Sequence, residues 1–391
     1  MKTIPYGKHY IDEDDIKQVS DVLINKNLTQ GPVIEEYESN FAKYVNSKYA
    51  VAVSSCSAGL HIGAIALELN ENKKFLTSPI TFVSTAAAGL HCGAKLQLCD
   101  INSETINLDI NLLEDKLKRE RIDLVIPVHF AGLPCDMKEI YNLQKKYDFK
   151  IMEDSAHALG ASYDCGSKVG SGKYSDLCVF STHPVKSIAT GEGGMITTNN
   201  PDLYKKLLRL RSHGINKDDD KFIIEDQAYT NGDRNLWYYE MRQLGFNYRL
   251  TDIQAALGIS QLKKLDSFMQ RRDTIVNKYR KELLHPEYID SAQSYSVNSS
   301  NHLFVVKFNL SKINLKKNEI MQNLRKHNII SQVHYIPLFL HPFFKGNNYN
   351  LNFFKNSLEY YNSSLSLPCY YSLDDDDIDF VINKTLKILN I

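Results

Sequence analysis

The chain has 391 residues, and its 46 basic and 46 acidic side chains leave no formal net charge. This length favours two domains that share an extended interface. Because the charges are interleaved and form no basic face, we expect no binding to nucleic acid. No apolar run reaches the roughly 18 residues that span a bilayer, and the N-terminal segment lacks the apolar core of a signal peptide, so we expect no membrane association.

The seven cysteines indicate a cytoplasmic protein with reduced thiols, because their number is odd and none are spaced as CxxC. We expect no metal site, since the histidines are scattered and no HExxH occurs. The acidic run from Asp374 to Asp377 lacks the glycine and glutamate of an EF-hand loop. It is better interpreted as a solvated turn or the start of a helix.

Two helices are predicted first, over residues 11–25 and 31–45, the second with Pro32 near its start. From residue 49 onwards, strand-like and helical runs alternate. The strands are predicted at 49–55, 75–79, 95–100, 122–130 and 150–156, and the helices at 57–69, 81–93, 111–120 and 136–148. This alternation predicts right-handed βαβ crossovers and a mostly parallel sheet in an α/β fold. Ligands of such sheets bind at the carboxyl ends of the strands.

The pattern changes after residue 173. Strands are predicted at 176–182 and 193–199, separated only by the segment that carries Lys186, and a helix at 201–214. Residues 217–240, which include the single tryptophan Trp237, predict a long functional loop. Thr251 can cap a long helix over 252–284. We therefore expect a large domain over 1–250 and a smaller C-terminal α+β domain over 251–391.

Two motifs with ligand-binding potential follow strands in the first half of the chain. The segment from Ser54 to Gly59 lies between a strand and a helix, so its amides and the helix dipole suit a phosphate, although an ordinary capped helix would have the same sequence. Phe82 comes just after another strand. Its ring could stack on a planar ligand or simply belong to the core.

Two adjacent carboxylates end a third apolar strand, in the segment "MEDSAHALG". Because neighbouring strand residues point to opposite faces, one of Glu153 and Asp154 should face the ligand edge while the other faces away. A carboxylate there could keep a ring nitrogen protonated by charge pairing. A helix cap or an arginine partner is the alternative role.

Lys186 lies between a strand-like run and a cluster of three glycines, Gly191, Gly193 and Gly194. A desolvated lysine loses its charge readily, and its amine then attacks carbonyls. Glycines allow tight turns beside a bulky ligand. The alternative is a solvated loop lysine.

Together, these four features are typical of a pyridoxal phosphate (PLP) site: a phosphate cradle, a ring stacker, a carboxylate for the ring nitrogen and a reactive lysine, in this order. The combination also identifies a resemblance that covers almost the whole chain. The segments "LTQGP", "SSCSAGLH", "PITFVSTAAAGLHCGA", "EDSAHALGA", "FSTHPVKSIATGEGGMITTN", "LRSHGI" and "GFNYRLTDIQAALGISQLKKLD" resemble the DegT/DnrJ/EryC1/StrS family of sugar aminotransferases.

The resemblance implies a fold-type I aminotransferase, a large PLP-binding domain followed by a smaller one, and a homodimer with shared active sites. It implies that Lys186 binds the cofactor aldehyde, Asp154 pairs with the ring nitrogen and His157 lies beside the phenolic oxygen. It further implies ring stacking by Phe82, phosphate contacts by Ser57, Ala58 and Ser181, and a contact of Asn247 with the neighbouring subunit's cofactor. In this sequence Cys56 and Ala58 depart from the residues of some family members.

The expected reaction moves an amino group from L-glutamate to C4 of a UDP-linked 4-keto-6-deoxy-N-acetylhexosamine, in pseudaminic acid synthesis. Transaminases of other nucleotide-linked 3- or 4-keto sugars remain open, for bacillosamine, perosamine or surface polysaccharide. Lys186 argues against the dehydrating members of the family, which carry His there, and the complete constellation argues against a non-catalytic role. Candidate sugar contacts, each of which could instead be a loop or core contact, are Tyr6, Thr29, Gln30, Trp237, Tyr238, His334 and Tyr335.

Overall fold

A computed structural model describes residues 2–217, 221–347 and 349–391. A seven-stranded sheet lies at its centre, with the strand order β1-β7-β6-β5-β4-β2-β3. Its strands are β1 (Tyr49–Val53), β2 (Lys74–Thr77), β3 (Lys95–Leu98), β4 (Leu124–Ile126), β5 (Lys150–Asp154), β6 (Leu177–Ser181) and β7 (Gly194–Thr198). Every strand predicted between residues 49 and 199 is present, with shorter bounds.

The sheet is mostly parallel, as predicted from the alternation of strands and helices. The pairs β2–β3, β2–β4, β4–β5 and β5–β6 are parallel. In contrast, β7 runs antiparallel to both β6 and β1. The segment between β6 and β7 contains no helix, so the chain reverses there instead of crossing over to a parallel strand.

Helices cover both faces of the sheet, which gives the predicted α/β fold. The helices of the described residues are α1 (Glu13–Asn25), α2 (Pro32–Val45), α3 (Cys56–Ala66), α4 (Val83–His91), α5 (Ile110–Arg119), α6 (Met137–Tyr147), α7 (Pro201–Arg211), α8 (Glu225–Ala228), α9 (Asp252–Glu282), α10 (Lys317–Lys326), α11 (Lys355–Ser363) and α12 (Asp375–Leu389). One hydrophobic core contains α1, α2, α5, α6 and the first half of α9. A second core on the other face contains α3, α4 and α7. Alternate strand residues serve the two cores, since Ala52 lies in the first and Val53 in the second.

The predicted helix starts are confirmed by the caps. Pro32 is at the first turn of α2, and Thr251 forms a capping box with Gln254 at the start of α9. Asp374 caps α12, so the acidic run that follows it is the start of a helix. Its carboxylates lie at the positive end of the helix dipole.

A third core lies in the C-terminal part of the chain. Strands β12 (Ile289–Ser291), β13 (Phe304–Phe308) and β14 (Ser364–Leu367) form an antiparallel sheet. The second half of α9 packs into this core, and so does Ile4 from the N-terminal segment. The domain boundary at residue 251 stays a prediction, because the helix that begins there contributes to two cores.

The predicted loop over 217–240 contains short regular elements. Residues 218–220 of this loop lie outside the described residues. The short elements are α8 and the two-residue strands β9 (Tyr229–Thr230), β10 (Asp233–Arg234) and β11 (Glu240–Met241), the last paired with β8 (Ile215–Asn216). Across the described ranges, no helix has the length and apolar character needed to cross a membrane.

Candidate active site

A cavity of about 600 Å³ lies at the carboxyl ends of β1, β5 and β6. This volume is within the usual range of small-molecule sites. Nine of the residues predicted for the site line it: Tyr6, Ser57, Phe82, Asp154, His157, Ser181, Lys186, His334 and Tyr335. The structure therefore brings together residues that are up to 329 positions apart in the sequence, from Tyr6 to Tyr335.

Lys186 is held in a short closed loop between β6 and β7. The backbone N–H of Thr190 donates to the Thr182 carbonyl over 2.9 Å, and the hydroxyls of these two threonines lie 2.6 Å apart. Gly194 begins β7 because a Cβ there would lie 2.7 Å from the Cys56 nitrogen and 2.9 Å from the Phe180 carbonyl oxygen. Lys186 is therefore not a freely solvated loop residue.

The surroundings of Lys186 favour a neutral amine. Its side chain reaches the cavity, and burial of the amine by protein lowers its pKa to about 8. Nearby Asp154 and Cys56 act in the opposite direction but do not cancel this effect. Lys186 thus has the property that a nucleophilic amine requires near neutral pH.

Asp154 is the carboxylate that faces the cavity. Its Oδ2 accepts a hydrogen bond of 2.6 Å from the Thr85 hydroxyl, and its Oδ1 accepts one of 3.1 Å from the Ala156 backbone N–H. Burial raises the pKa of Asp154, while these two donors and the Lys186 charge oppose the rise. A protonated ring nitrogen placed there would stabilise the ionised carboxylate further.

Glu153 points to the opposite face, as the strand alternation predicted. The His129 ring donates to its Oε2 from Nε2 over 2.6 Å, because Nδ1 already accepts the Cys135 backbone N–H. The Tyr163 hydroxyl donates to the same oxygen over 2.7 Å, and the Ser175 hydroxyl donates to Oε1. Glu153 is consequently a structural anchor beneath the site.

Replacing Glu153 by glutamine is expected to lower the free energy of unfolding by about 1–3 kcal/mol, because the new amide group faces hydrogen-bond donors. Urea titration followed by circular dichroism measures this loss. The activity per folded molecule should stay close to that of the wild type, since Glu153 does not line the cavity. Unchanged stability would contradict the structural role.

His157 and Tyr335 form a pair at the wall of the cavity. The Ala131 backbone N–H donates to His157 Nδ1 over 3.3 Å, so the proton is on Nε2, which lies 3.0 Å from the Tyr335 hydroxyl. Burial, together with the Lys186 charge, holds the pKa of His157 well below its usual range. His157 is therefore a neutral imidazole with one N–H aimed at the cavity wall.

Phe82 is not a core residue, although the sequence left that role open. It is 56% exposed, lines the cavity and precedes α4. Its ring centroid lies 6.0 Å from that of Tyr335. An aromatic face that is open to a cavity is available for a planar ligand.

The N-terminus of α3 is a capped helix start that faces the cavity. Ser55 caps it by accepting the Ala58 backbone N–H over 3.1 Å, so the Ala58 amide already has a partner. Ser57 lines the cavity together with Ser181, whereas Ala58 does not. The remaining first-turn amides and two hydroxyls are available to a phosphate. A contact between Ala58 and the phosphate stays a prediction.

Besides Ala58, five predicted residues are not among those that line the cavity. They are Thr29, Gln30, Trp237, Tyr238 and Asn247. Trp237 is 75% exposed, and Asn247 is also exposed and forms an isolated β-bridge with Ser212. Tyr238 donates to Glu240 over 3.2 Å. None of the five contributes to the site within a single chain.

Sequence reasoning missed several residues of the site. Thr85 bonds directly to Asp154, and its place one helical turn after Thr81 is the only signal that could have pointed to it. His302 and Glu192 also line the cavity. His302 follows Asn301 in an irregular segment before β13, where no local pattern indicates which way a side chain points.

The residues present fit PLP. The cavity offers an amine with a lowered pKa, a buried carboxylate, an exposed aromatic ring and a helix N-terminus with two serines. These groups match the aldehyde, the ring nitrogen, the ring face and the phosphate of that cofactor. The described ranges hold no group of three or more His, Cys, Asp or Glu that could bind a metal ion.

Comparison with known proteins gives a consistent result. Residues 9–386 match the DegT/DnrJ/EryC1/StrS aminotransferase family. The chain is 36% identical to the UDP-4-amino-4,6-dideoxy-N-acetyl-beta-L-altrosamine transaminase of Campylobacter jejuni, with 99% of this chain and 97% of the relative covered. It is 35% identical, with the same coverage, to the spore coat polysaccharide biosynthesis protein SpsC of Bacillus subtilis.

Structural comparison agrees with the sequence matches. The fold superposes on that of Helicobacter pylori PseC, an aminotransferase involved in the biosynthesis of pseudaminic acid, with a TM-score of 0.88. That alignment covers 100% of both chains at 29% identity. The likeness extends through the central sheet and the C-terminal sheet alike.

Proposed function

Because this chain belongs to the DegT/DnrJ/EryC1/StrS aminotransferase family, we propose that it transfers the amino group of L-glutamate to C4 of a UDP-linked 4-keto-6-deoxy-N-acetylhexosamine. The chain is a PLP-dependent sugar aminotransferase that acts on a nucleotide sugar. The observation that carries the proposal is the single cavity in which Lys186, Asp154 and Phe82 meet the N-terminus of α3. The choice of sugar, in a pathway to pseudaminic acid, is supported by the Campylobacter jejuni relative.

We assign the proton transfers to Lys186. When bound, PLP supplies a carbonyl carbon for the amino group and a ring that accepts electrons. Lys186 takes a proton from the substrate carbon that carries the amino nitrogen, and it gives the proton back to the carbon on the other side of that nitrogen. This transfer requires a lysine amine that is neutral for part of the time. The lowered pKa of Lys186, about 8, supports this role.

Asp154 and His157 hold and orient the reacting system. Asp154 keeps a proton on the ring nitrogen, and Thr85 fixes the orientation of its carboxylate with the 2.6 Å hydrogen bond. His157 is neutral and offers its Nε2–H towards the Tyr335 hydroxyl and the cavity. It is therefore a donor for an oxygen on the ring, and it does not add a positive charge beside Lys186.

Ser57, Ser181 and the first-turn amides of α3 bind the cofactor phosphate in this proposal. The hexose lies towards Tyr6, His334 and Tyr335, which also line the cavity. The Ser366 hydroxyl, 2.8 Å from His334 Nδ1, orients that imidazole, and burial lowers the pKa of His334 to about 3. A neutral imidazole and phenols suit the hydroxyls of an uncharged sugar.

We further propose a homodimer in which each subunit completes the other's site. Apart from Ala58, the predicted residues that do not line the cavity are exposed or partly exposed. Large apolar side chains near them are exposed too, namely Ile223, Ile224, Leu236, Met241 and Leu244. An apolar surface of this kind is typical of a protein–protein interface. In a dimer, Asn247 would reach the phosphate of the neighbouring subunit's cofactor.

A second candidate function is an amino-sugar step in the synthesis of a surface polysaccharide. It is favoured by SpsC, which is as similar to this chain as the altrosamine transaminase is. Both candidates use the same reacting groups and differ only in the sugar. Ketone position and ring configuration therefore decide between them.

A panel of UDP-keto sugars separates the candidates. We expect the L-configured 4-keto-6-deoxy-N-acetylhexosamine to be used with a kcat/KM at least about 100-fold above that of the D-configured 4-keto and 3-keto analogues, because a built site loses hydrogen bonds with the wrong epimer. Release of 2-oxoglutarate from glutamate gives the rate, and NMR of the product identifies the aminated carbon. Preferred amination of another sugar would contradict the proposal and favour the second candidate.

A further inference from the structure

Arg272 is a buried cation at the same small cavity as Lys186. It lies on α9, is only 3% exposed, and lines a second, much smaller cavity together with Lys186 and Gln261. This cavity has a volume of about 10 Å³. That is about the space of one water molecule. Lys186 thus lines both the active-site cavity and a small space that is also lined by a guanidinium group.

The guanidinium group has no counter-ion among the described residues. Arg272 Nη1 donates to the carbonyls of His302, over 2.9 Å, and Cys369, over 2.7 Å. Among the described residues, Arg272 Nε has no hydrogen-bond partner. The only side chain of these residues that stabilises the positive charge of Arg272 is the Cys369 thiol. Buried arginines are ordinarily paired with carboxylates, so this arrangement requires an explanation.

The other groups around the Lys186 amine do not supply a fixed positive charge. His157, His302 and His334 are neutral, because burial holds the pKa of each below its usual range. Lys8 and His9 line the small cavity but are exposed, so solvent screens them. The acidic groups nearby are Asp154, Cys56 and Glu192. Arg272 is therefore the one buried permanent cation among these neighbours.

We propose that Arg272 is a positioning residue for the reaction: its uncompensated charge, held at the same small cavity as Lys186 with one water on Nε, disfavours a second positive charge at the Lys186 nitrogen. This inference rests on the proposed role of Lys186. The carbonyls of His302 and Cys369 fix the guanidinium in place, and the water gives Nε–H its missing acceptor. Burial is the main cause of the lowered pKa of Lys186, and the charge of Arg272 makes a smaller contribution in the same direction.

The test compares variants of Arg272 in the holoenzyme. The pH at which the absorbance of the bound cofactor changes reports the protonation of the nitrogen that links it to the protein. Arg272→Met and Arg272→Gln, which remove the charge, should shift this midpoint upward by roughly one pH unit. Arg272→Lys, which keeps the charge but loses the double contact to the carbonyls, should leave it within about 0.3 unit of the wild type.

The neighbouring Arg271 provides a matched control. It lies on the same helix, but its guanidinium donates to Asp375 over 2.8 Å near the surface. Arg271→Met should therefore leave the midpoint unchanged. Equal midpoints in Arg272→Met, Arg272→Lys and the wild type would overturn the proposal and leave Arg272 a structural clamp, even if all Arg272 variants lose thermal stability.

Two further measurements keep the result unambiguous. Borohydride reduction of the wild type followed by peptide mapping shows whether Lys186 carries the cofactor, so a failure of the proposed function is distinguishable from a failure of this inference. A crystal structure of the wild-type holoenzyme tests whether the charge of Arg272 is uncompensated, and it does so even if the neutral variants do not fold. One water on Arg272 Nε supports the proposal, whereas chloride or another anion there would neutralise the charge and refute it.

Discussion

Replacing Lys186 by alanine is expected to lower turnover at least about 1,000-fold and to abolish the absorbance of covalently bound cofactor. The variant loses both the amine that binds the cofactor and the group that moves the proton. Its fold should persist, because the loop that carries Lys186 is closed by Thr182 and Thr190 and not by the lysine side chain. Absorbance spectra and steady-state rates of the purified variant measure both effects.

The same residue predicts how cofactor uptake depends on pH. Only the neutral amine attacks an aldehyde, and a pKa of about 8 leaves roughly a tenth of Lys186 neutral at pH 7. That fraction is roughly 300 times larger than for an ordinary lysine. The rate at which the apoprotein takes up PLP should therefore rise with pH up to about 8 and then level off.

Lys138→Ala is a suitable control, since Lys138 is exposed on α6, far from the cavity lining. It should retain the spectrum and the rate of the wild type. Near-normal turnover in Lys186→Ala would instead show that another amine performs the chemistry.

Replacing Asp154 by asparagine is expected to lower kcat at least about 100-fold while the cofactor stays covalently bound. Asparagine has no negative charge to keep the ring nitrogen protonated, so the ring loses much of its ability to accept electrons. Its side-chain oxygen can still accept a hydrogen bond from the Ala156 N–H or the Thr85 hydroxyl. Because a buried charge is removed, stability should stay within about 1 kcal/mol of the wild type.

The adjacent Glu153 makes the result specific. Asp154→Asn should lose activity and keep stability, whereas Glu153→Gln should lose stability and keep activity. These opposite effects follow from the two faces of β5, one towards the cavity and one towards His129 and Tyr163. Similar losses in both variants would mean that Asp154 acts mainly through the packing of the strand.

Much of the large domain could be predicted from the sequence because its strands are continuous apolar runs. Buried parallel strands such as β5 and β6 need apolar side chains on both faces, and helices separate most of them along the chain. Their carboxyl ends then identify one edge of the sheet, which places Asp154 and Lys186 close together. The alternation of strand residues also predicted that Glu153 and Asp154 point apart, but not which of them faces the ligand.

The remaining features depend on contacts between distant segments. The short strands β8 to β11 have two residues each, too few to show any periodicity, so the segment around Trp237 was predicted as a loop. His302 enters the cavity from an irregular segment whose direction is set by the Arg272 hydrogen bond to its carbonyl. The partner of Asp154, Thr85, lies on a helix of small residues, where its spacing from Thr81 is the only sign of a polar contact.

Because α9 is continuous, it couples the unfolding of the two parts of the protein. Its first half packs with α1 and α2, and its second half packs with β13 and β14, so one uninterrupted 31-residue rod is shared by both cores. If either core unfolded, half of α9 would lose its apolar partners. Because the stability of a helix comes mainly from packing, the unfolding would then extend into the other half. Both parts should therefore unfold in a single cooperative thermal transition, and the active-site cavity should be lost at the same temperature.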